Sequence, residues 1–126
     1  MHRSRLFGIF VDLPAADAPT AATFWSTALG GHPEVVAGEE HFTILRGAVP
    51  DLVVGVQTVD DAPRYHVDIE TDDVDAEVAR LCAAGAVEVS RWLECHVLRA
   101  PGGQLLCVIP VHSDRALFDR EARTWP

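Results

Sequence analysis

The residues able to do chemistry cluster around one short segment. His66 opens the run His66-Val-Asp-Ile-Glu70, with Asp68 two positions on. In a strand, residues two apart share a face, so His66 and Asp68 project to the same side. Such a histidine has three uses. It can line a binding site as a neutral ring hydrogen-bonded to Asp68 or Gln57. It can move protons, with Asp68 orienting the imidazole. It can also hold a metal ion. Cys107 is either a small buried hydrophobe or a thiolate, and the second use needs a nearby cation to lower its pKa. Cys95 and His96 are adjacent, so on a strand they face opposite ways and form no thiolate–imidazole pair.

Three aromatic residues, Phe10, Phe42 and Trp92, have two readings each: core filling, or stacking on a flat ligand. Together with a few polar groups they suit an apolar small-molecule pocket. His41 and His112 are expected at the surface, and His32-Pro33 in a helix-to-strand turn. The acidic stretches Asp60-Asp61 and Asp72–Asp75 lack the spacing of a calcium loop, and read as a solvated turn and a helix cap.

The elements that position these residues repeat. The segment 64–70 alternates, with Val67 and Ile69 opposite His66 and Asp68. Asp72 then starts a helix with an apolar stripe at Val74, Val78, Leu81 and Cys82, ended by Gly85. The first half has the same shape: a strand over Leu6–Leu13, a helix from Asp17 through Trp25 to Gly30, then further strands. Both helices span the same interval between an acidic cap and a glycine, which predicts equal lengths and an internal duplication. Strands are expected at Pro33–Val36, His41–Arg46 and Leu52–Val59, and again at Ala86–Trp92, Cys95–Arg99 and Gln104–Pro110. Turns fall at Gly38-Glu39-Glu40, 47–51 and Pro101-Gly102-Gly103. Each half is therefore βαβββ. Module one covers about 5–60 and module two about 61–111, with residues 112–126 a tail or helix, all in a single α+β domain.

Composition narrows the function classes. The chain has 126 residues and a net charge of −9, which disfavours phosphate backbones and anionic membranes. No apolar run reaches the ~18–20 residues that span a bilayer. The N-terminus makes a poor signal peptide, so a cytoplasmic location is expected. Three cysteines without CxxC spacing predict reduced thiols, mostly buried. Pro101-Gly102-Gly103 precedes no helix, so it makes a weak nucleotide cradle.

The chain resembles the vicinal oxygen chelate superfamily of glyoxalases, bleomycin-resistance proteins and extradiol dioxygenases, and within it the single-domain glyoxalase-like proteins. The resemblance rests on 22–31 (ATFWSTALGG), on His66-Val-Asp-Ile-Glu70 with the helix to Gly85-Ala86, and on Pro101-Gly102-Gly103 with Gln104 to Val108. Two weaker counterparts are 52–57 (LVVGVQ) and 122–125 (ARTW). It implies a curved eight-stranded mixed sheet with helices outside and a concave ligand cup. In the enzymatic members that cup holds a divalent metal, which polarises a substrate with two adjacent oxygens.

The family's metal positions map poorly here. His66 falls on one. The equivalent in module one falls on Phe10 or Val11, neither of which binds metal. The fourth strand of module one offers Val54, Gly55 and Val56, with Gln57 beside them. The last strand's usual carboxylate is Cys107, and the turn opens with Ala100 where the family often has aspartate. Three protein ligands are the normal minimum for a catalytic ion. The expectation is therefore a protein without a catalytic metal that binds a small, largely apolar or aromatic molecule in the cup, by sequestration or with acid–base chemistry from His66 and Asp68. The expected ligand contacts are Phe10, Phe42, Gln57, His66, Trp92 and Cys107. A divalent-metal lyase, isomerase or dioxygenase is the alternative, and a non-catalytic dimeric interaction module a third. Homodimers are expected in either case, with no nucleic-acid or membrane partner.

Overall fold

The computed structural model describes all 126 residues, in an α+β arrangement of nine strands and three α-helices. In chain order these are β1 (His2–Leu13), α1 (Ala18–Leu29), β2 (His32–Val36), β3 (Glu39–Arg46), β4 (Val53–Thr58) and β5 (Arg64–Thr71), followed by α2 (Val74–Ala83), β6 (Val87–Trp92), β7 (Cys95–Arg99), β8 (Leu105–Pro110), α3 (Arg115–Glu121) and β9 (Arg123–Trp125). Both βαβββ repeats are present. The tail resolves into a short helix and a strand. The chain forms two compact units, residues 8–66 and residues 1–7 with 67–126, so β1 and β5 each contribute to both.

In the unit 8–66 the strand order is β2-β3-β4-β1. β1 and β4 are parallel, while β3 is antiparallel to both β2 and β4. One face buries Leu13, Leu45, Val54 and Val56 under Ala22 of α1, with Val11, Ala21 and Trp25 packed around them. Each large apolar side chain so buried contributes about 1.5–3 kcal/mol. Gly30, at φ 79°, closes α1 by donating its N–H to the Ser26 carbonyl at 2.8 Å.

In the second unit the order is β5-β8-β7-β6, and β9 pairs antiparallel with β1 at His2–Ser4. The predicted stripe Val74, Val78 and Leu81 packs with Val67 and Ile69 against Leu98, Leu106 and Val108. Two buried glutamates tie the chain ends to this unit. Glu77 on α2 accepts from His2 Nε2 and Arg80 Nε, both at 2.7 Å. Glu70 on β5 accepts from Arg5 at 3.0 Å, from the Ser113 hydroxyl at 2.6 Å and from the backbone N–H groups of His112 and Ser113. The Trp125 indole donates to Ser4 Oγ at 2.8 Å, and the Arg80 guanidinium lies 3.8 Å above the Trp125 ring.

Several expectations need correction. The helices differ in length, with 12 residues in α1 and 10 in α2. They also differ in capping. Asp73, rather than Asp72, caps α2, accepting from the Ala76 N–H at 3.0 Å, while Asp72 pairs with Arg3. Asp17 stands at the cap of α1 without a side-chain cap bond, because the preceding 3-10 turn Ala15–Asp17 already holds that backbone. His32 lies within β2 rather than in the turn, since it pairs with Arg46. Glu39 and Glu40 belong to β3, leaving Ala37 and Gly38 as the turn. His41 is half-buried, and all three cysteines are half-buried rather than buried.

Candidate functional site

The face of the 8–66 unit opposite α1 carries the chemistry. Phe10 and Asp12 alternate along β1 and so share that face. Phe10 registers with Gly55 and Asp12 with Gln57 on β4. On β3, Phe42 registers with Gln57 and Ile44 with Gly55. Two glycines make room for the Phe10 ring. A Cβ on Gly55 would stand 3.0 Å from two ring carbons of Phe10. One on Gly8 would stand 3.0 Å from the ring and 2.7 Å from the Val53 carbonyl oxygen. Phe10 is accordingly only 2% exposed. It meets Phe42 edge-on at 5.4 Å and lies nearly parallel beneath the His66 ring, with centroids 4.9 Å apart and planes 15° apart.

His66 is held by Asp12. Its Nδ1 is 2.6 Å from Asp12 Oδ2, and both side chains are buried. A carboxylate only accepts, so Nδ1 carries the proton and donates, which puts the basic lone pair on Nε2. Arg64 Nε donates to the same Oδ2 at 3.2 Å while its Nη1 reaches Asp61 at 2.6 Å. Asp12 Oδ1 is buried with no hydrogen-bond partner. A groove of about 310 Å³ opens on the α1 side, walled by Val11, Leu13, Trp25, Arg64 and Tyr65, and His66, Phe10 and Gln57 do not line it. The arrangement can accept a proton at Nε2 and offer an aromatic and apolar surround.

This changes the orienting group. Sequence reasoning gave the role to Asp68 or Gln57, but the carboxylate on Nδ1 is Asp12. What hid it is the separation of Asp12 and His66 by 54 residues in the chain, which no local pattern bridges.

The remaining candidates lie in the second unit. Asp68 on β5 and Cys107 on β8 are half-buried. The neighbouring Cys95 thiol, then burial, then the charge of Asp68 push the Cys107 thiol well above its ordinary range. It is a protonated thiol at neutral pH and a poor nucleophile. Trp92, at the end of β6, is 61% exposed and fills no core. Its plain reading is thereby corrected. His96 faces away from Cys95, as expected, and its Nδ1 is 2.8 Å from Glu88.

Metal donors are few. In the unit 8–66 the donors on this face are His66 and Asp12, while Asp68 and Cys107 belong to the other unit. Cys107 offers a thiol, whereas ions of the Mn²⁺ kind prefer oxygen and nitrogen. Phe10, Val11 and Gly55 supply no donor, and Asp12 is already engaged by His66 and Arg64. The residues present therefore do not fit a hard divalent ion.

The comparisons agree with the fold. The chain resembles methylmalonyl-CoA epimerase from Mycobacterium tuberculosis at 16% identity and TM-score 0.53, covering 84% of this chain and 87% of that one. It resembles the Mn(II)-bound glyoxalase from Novosphingobium aromaticivorans at 20% identity and TM-score 0.58, over 91% of this chain but only 44% of that one. A xylose isomerase-like TIM barrel/4-hydroxyphenylpyruvate dioxygenase fusion protein matches at 18% identity and TM-score 0.60, over 94% of this chain and 21% of that chain. The chain thus spans less than half of those last two proteins. No curated protein matches. The profile of the glyoxalase-like domain matches residues 8–109, from the Gly8 pad to the end of β8, and the chain belongs to that family.

Proposed function

We propose that this glyoxalase-like chain binds a small, largely apolar or aromatic molecule beside His66, without a catalytic metal. The observation that carries the reading is the buried 2.6 Å contact of Asp12 with His66 Nδ1, made on a ring already stacked on Phe10. It fixes the tautomer and plane of the imidazole and directs Nε2 basicity toward a ligand. Phe42 and Gln57 flank the site, and Phe10 serves as the platform under His66 rather than as an exposed contact. The outcome is sequestration, as in drug-resistance binding, or a simple proton transfer. An intracellular homodimer is part of the same proposal. A thermal-shift screen of aromatic and apolar metabolites tests it. Ligands that stabilise the wild type but not His66→Ala support the reading, and equal stabilisation of both contradicts it.

One observation favours a second reading, a metal-dependent lyase, isomerase or dioxygenase. A carboxylate behind Nδ1 also orients a metal-ligating histidine, and Asp12 stands at that position. Elemental analysis of protein purified with Zn²⁺, Ni²⁺, Mn²⁺ or Fe²⁺ separates the two. One equivalent of metal lost on His66→Ala establishes the second.

A further inference from the structure

We infer that the groove between α1 and β1 is a second ligand site, for a small organic cation with an apolar body, such as a quaternary ammonium. Asp17, Ala21 and Trp25 follow one another at four-residue intervals, so the N-cap and first turns of α1 present them on one face. Val11 and Leu13 alternate along β1 and make the facing wall, and Tyr65 borders the same space. The volume of about 310 Å³ is at the lower end for a small-molecule site. All of these residues belong to the unit 8–66.

Charge and ring geometry select the ligand. Asp17 stands at the N-cap yet makes no cap bond, so its carboxylate is left to face the groove that it lines. Arg64 is the one cationic side chain in the lining, and it is already held by Asp12 at 3.2 Å and by Asp61 at 2.6 Å. The positive end of α1 amounts to about half a charge, against the full charge of Asp17. The lining is therefore negative on balance, like the chain with its net charge of −9. Trp25 and Tyr65 meet edge to face, with centroids 6.5 Å apart and planes at 86°. The ring standing edge-on keeps its faces clear of the other, and Tyr65 is 63% exposed. A ring face attracts a cation within about 6 Å of its centroid, a reach that spans a groove of this size. A neutral molecule would gain the apolar walls but nothing from Asp17, and an anion would be repelled by it. The inference goes beyond the proposed function and does not rest on it, because His66, Phe10 and Gln57 do not line the groove.

Titration of the full chain with choline chloride at constant ionic strength, followed by ¹H–¹⁵N NMR of the tryptophan indoles, tests the site. The Trp25 cross-peak is identified by its absence in Trp25→Phe. The expected result is a saturable shift of that cross-peak, with those of Trp92 and Trp125 unmoved. Asp17→Asn should weaken the affinity about threefold, and its exposed position leaves the fold intact. The uncharged isostere 3,3-dimethylbutan-1-ol should bind the wild type about fivefold more weakly than choline, a comparison that needs no variant to fold. A still Trp25 cross-peak, equal affinity for the two probes, or unchanged choline affinity in Asp17→Asn would overturn it. So would a choline response confined to the His66 ring signals.

Discussion

Asp12 and His66 form the pair on which the site depends. With its Oδ1 already buried and unbonded, Asp12 is retained through its Oδ2 contacts with His66 and Arg64. Breaking a buried pair by removing one partner costs about 3–5 kcal/mol, because the other is left uncompensated. Arg64 is partly exposed, which lowers this cost, so Asp12→Ala should lose about 3 kcal/mol in urea unfolding with an unchanged m-value. A loss below about 1 kcal/mol would mean the pair behaves as a surface contact. Glu77 gives a pH prediction. Burial alone raises its carboxyl, but hydrogen bonds from Arg80, Ser4 and His2 outweigh that and bring it to about 2. The folded value lies below the ordinary 4.5, so its contribution is complete above pH 4.5 and disappears as pH falls toward 2. Wild-type stability should therefore decline through that window. Glu77→Gln should start less stable and show a shallower decline, and parallel curves would contradict the assignment.

At the scale of elements, packing and capping separate positions that look alike in sequence. Gly8 and Gly55 both lie under Phe10, but an added methyl at Gly8 meets a backbone oxygen at 2.7 Å, whereas at Gly55 its nearest contacts are ring atoms at 3.0 Å. Backbone cannot swing aside as a ring can. Gly8→Ala should thus cost more than Gly55→Ala, both within the about 1–3 kcal/mol typical of overpacking, as read by thermal unfolding. Asp73→Ala should cost about 1 kcal/mol by removing the α2 cap, while Asp17→Ala should be near neutral, since no cap bond is lost. The sequence placed every strand of the two repeats to within a few residues, because alternation and glycine stops are local signals. It misjudged Asp17 and Asp72, because any of several adjacent acidic residues satisfies the capping pattern, and only the backbone turn decides which one bonds.

For the molecule as a whole, the family could be read from the order of weak motifs, and the match over residues 8–109 agrees with it. The site was less legible. Alternation puts His66, Phe10, Phe42 and Gln57 each on a definite face of its strand, yet the carboxylate that contacts His66 lies 54 residues away in the chain. The links of Glu70 and Glu77 to both chain ends were missed for the same reason. Buried glutamate is indistinguishable from surface glutamate until its partners are placed. No helix is long and apolar enough to cross a membrane. The central claim is that His66 is a proton-handling ring set by Asp12 and not the ligand of a hard catalytic ion. Histidine-selective ¹⁵N NMR at neutral pH tests it most directly, with and without one equivalent of Mn²⁺. The account predicts the Nδ1–H tautomer for His66, lost in Asp12→Ala, and no paramagnetic broadening beyond that of free Mn²⁺. An Nε2–H tautomer, or selective loss of the His66 signals at one equivalent of Mn²⁺, would contradict it.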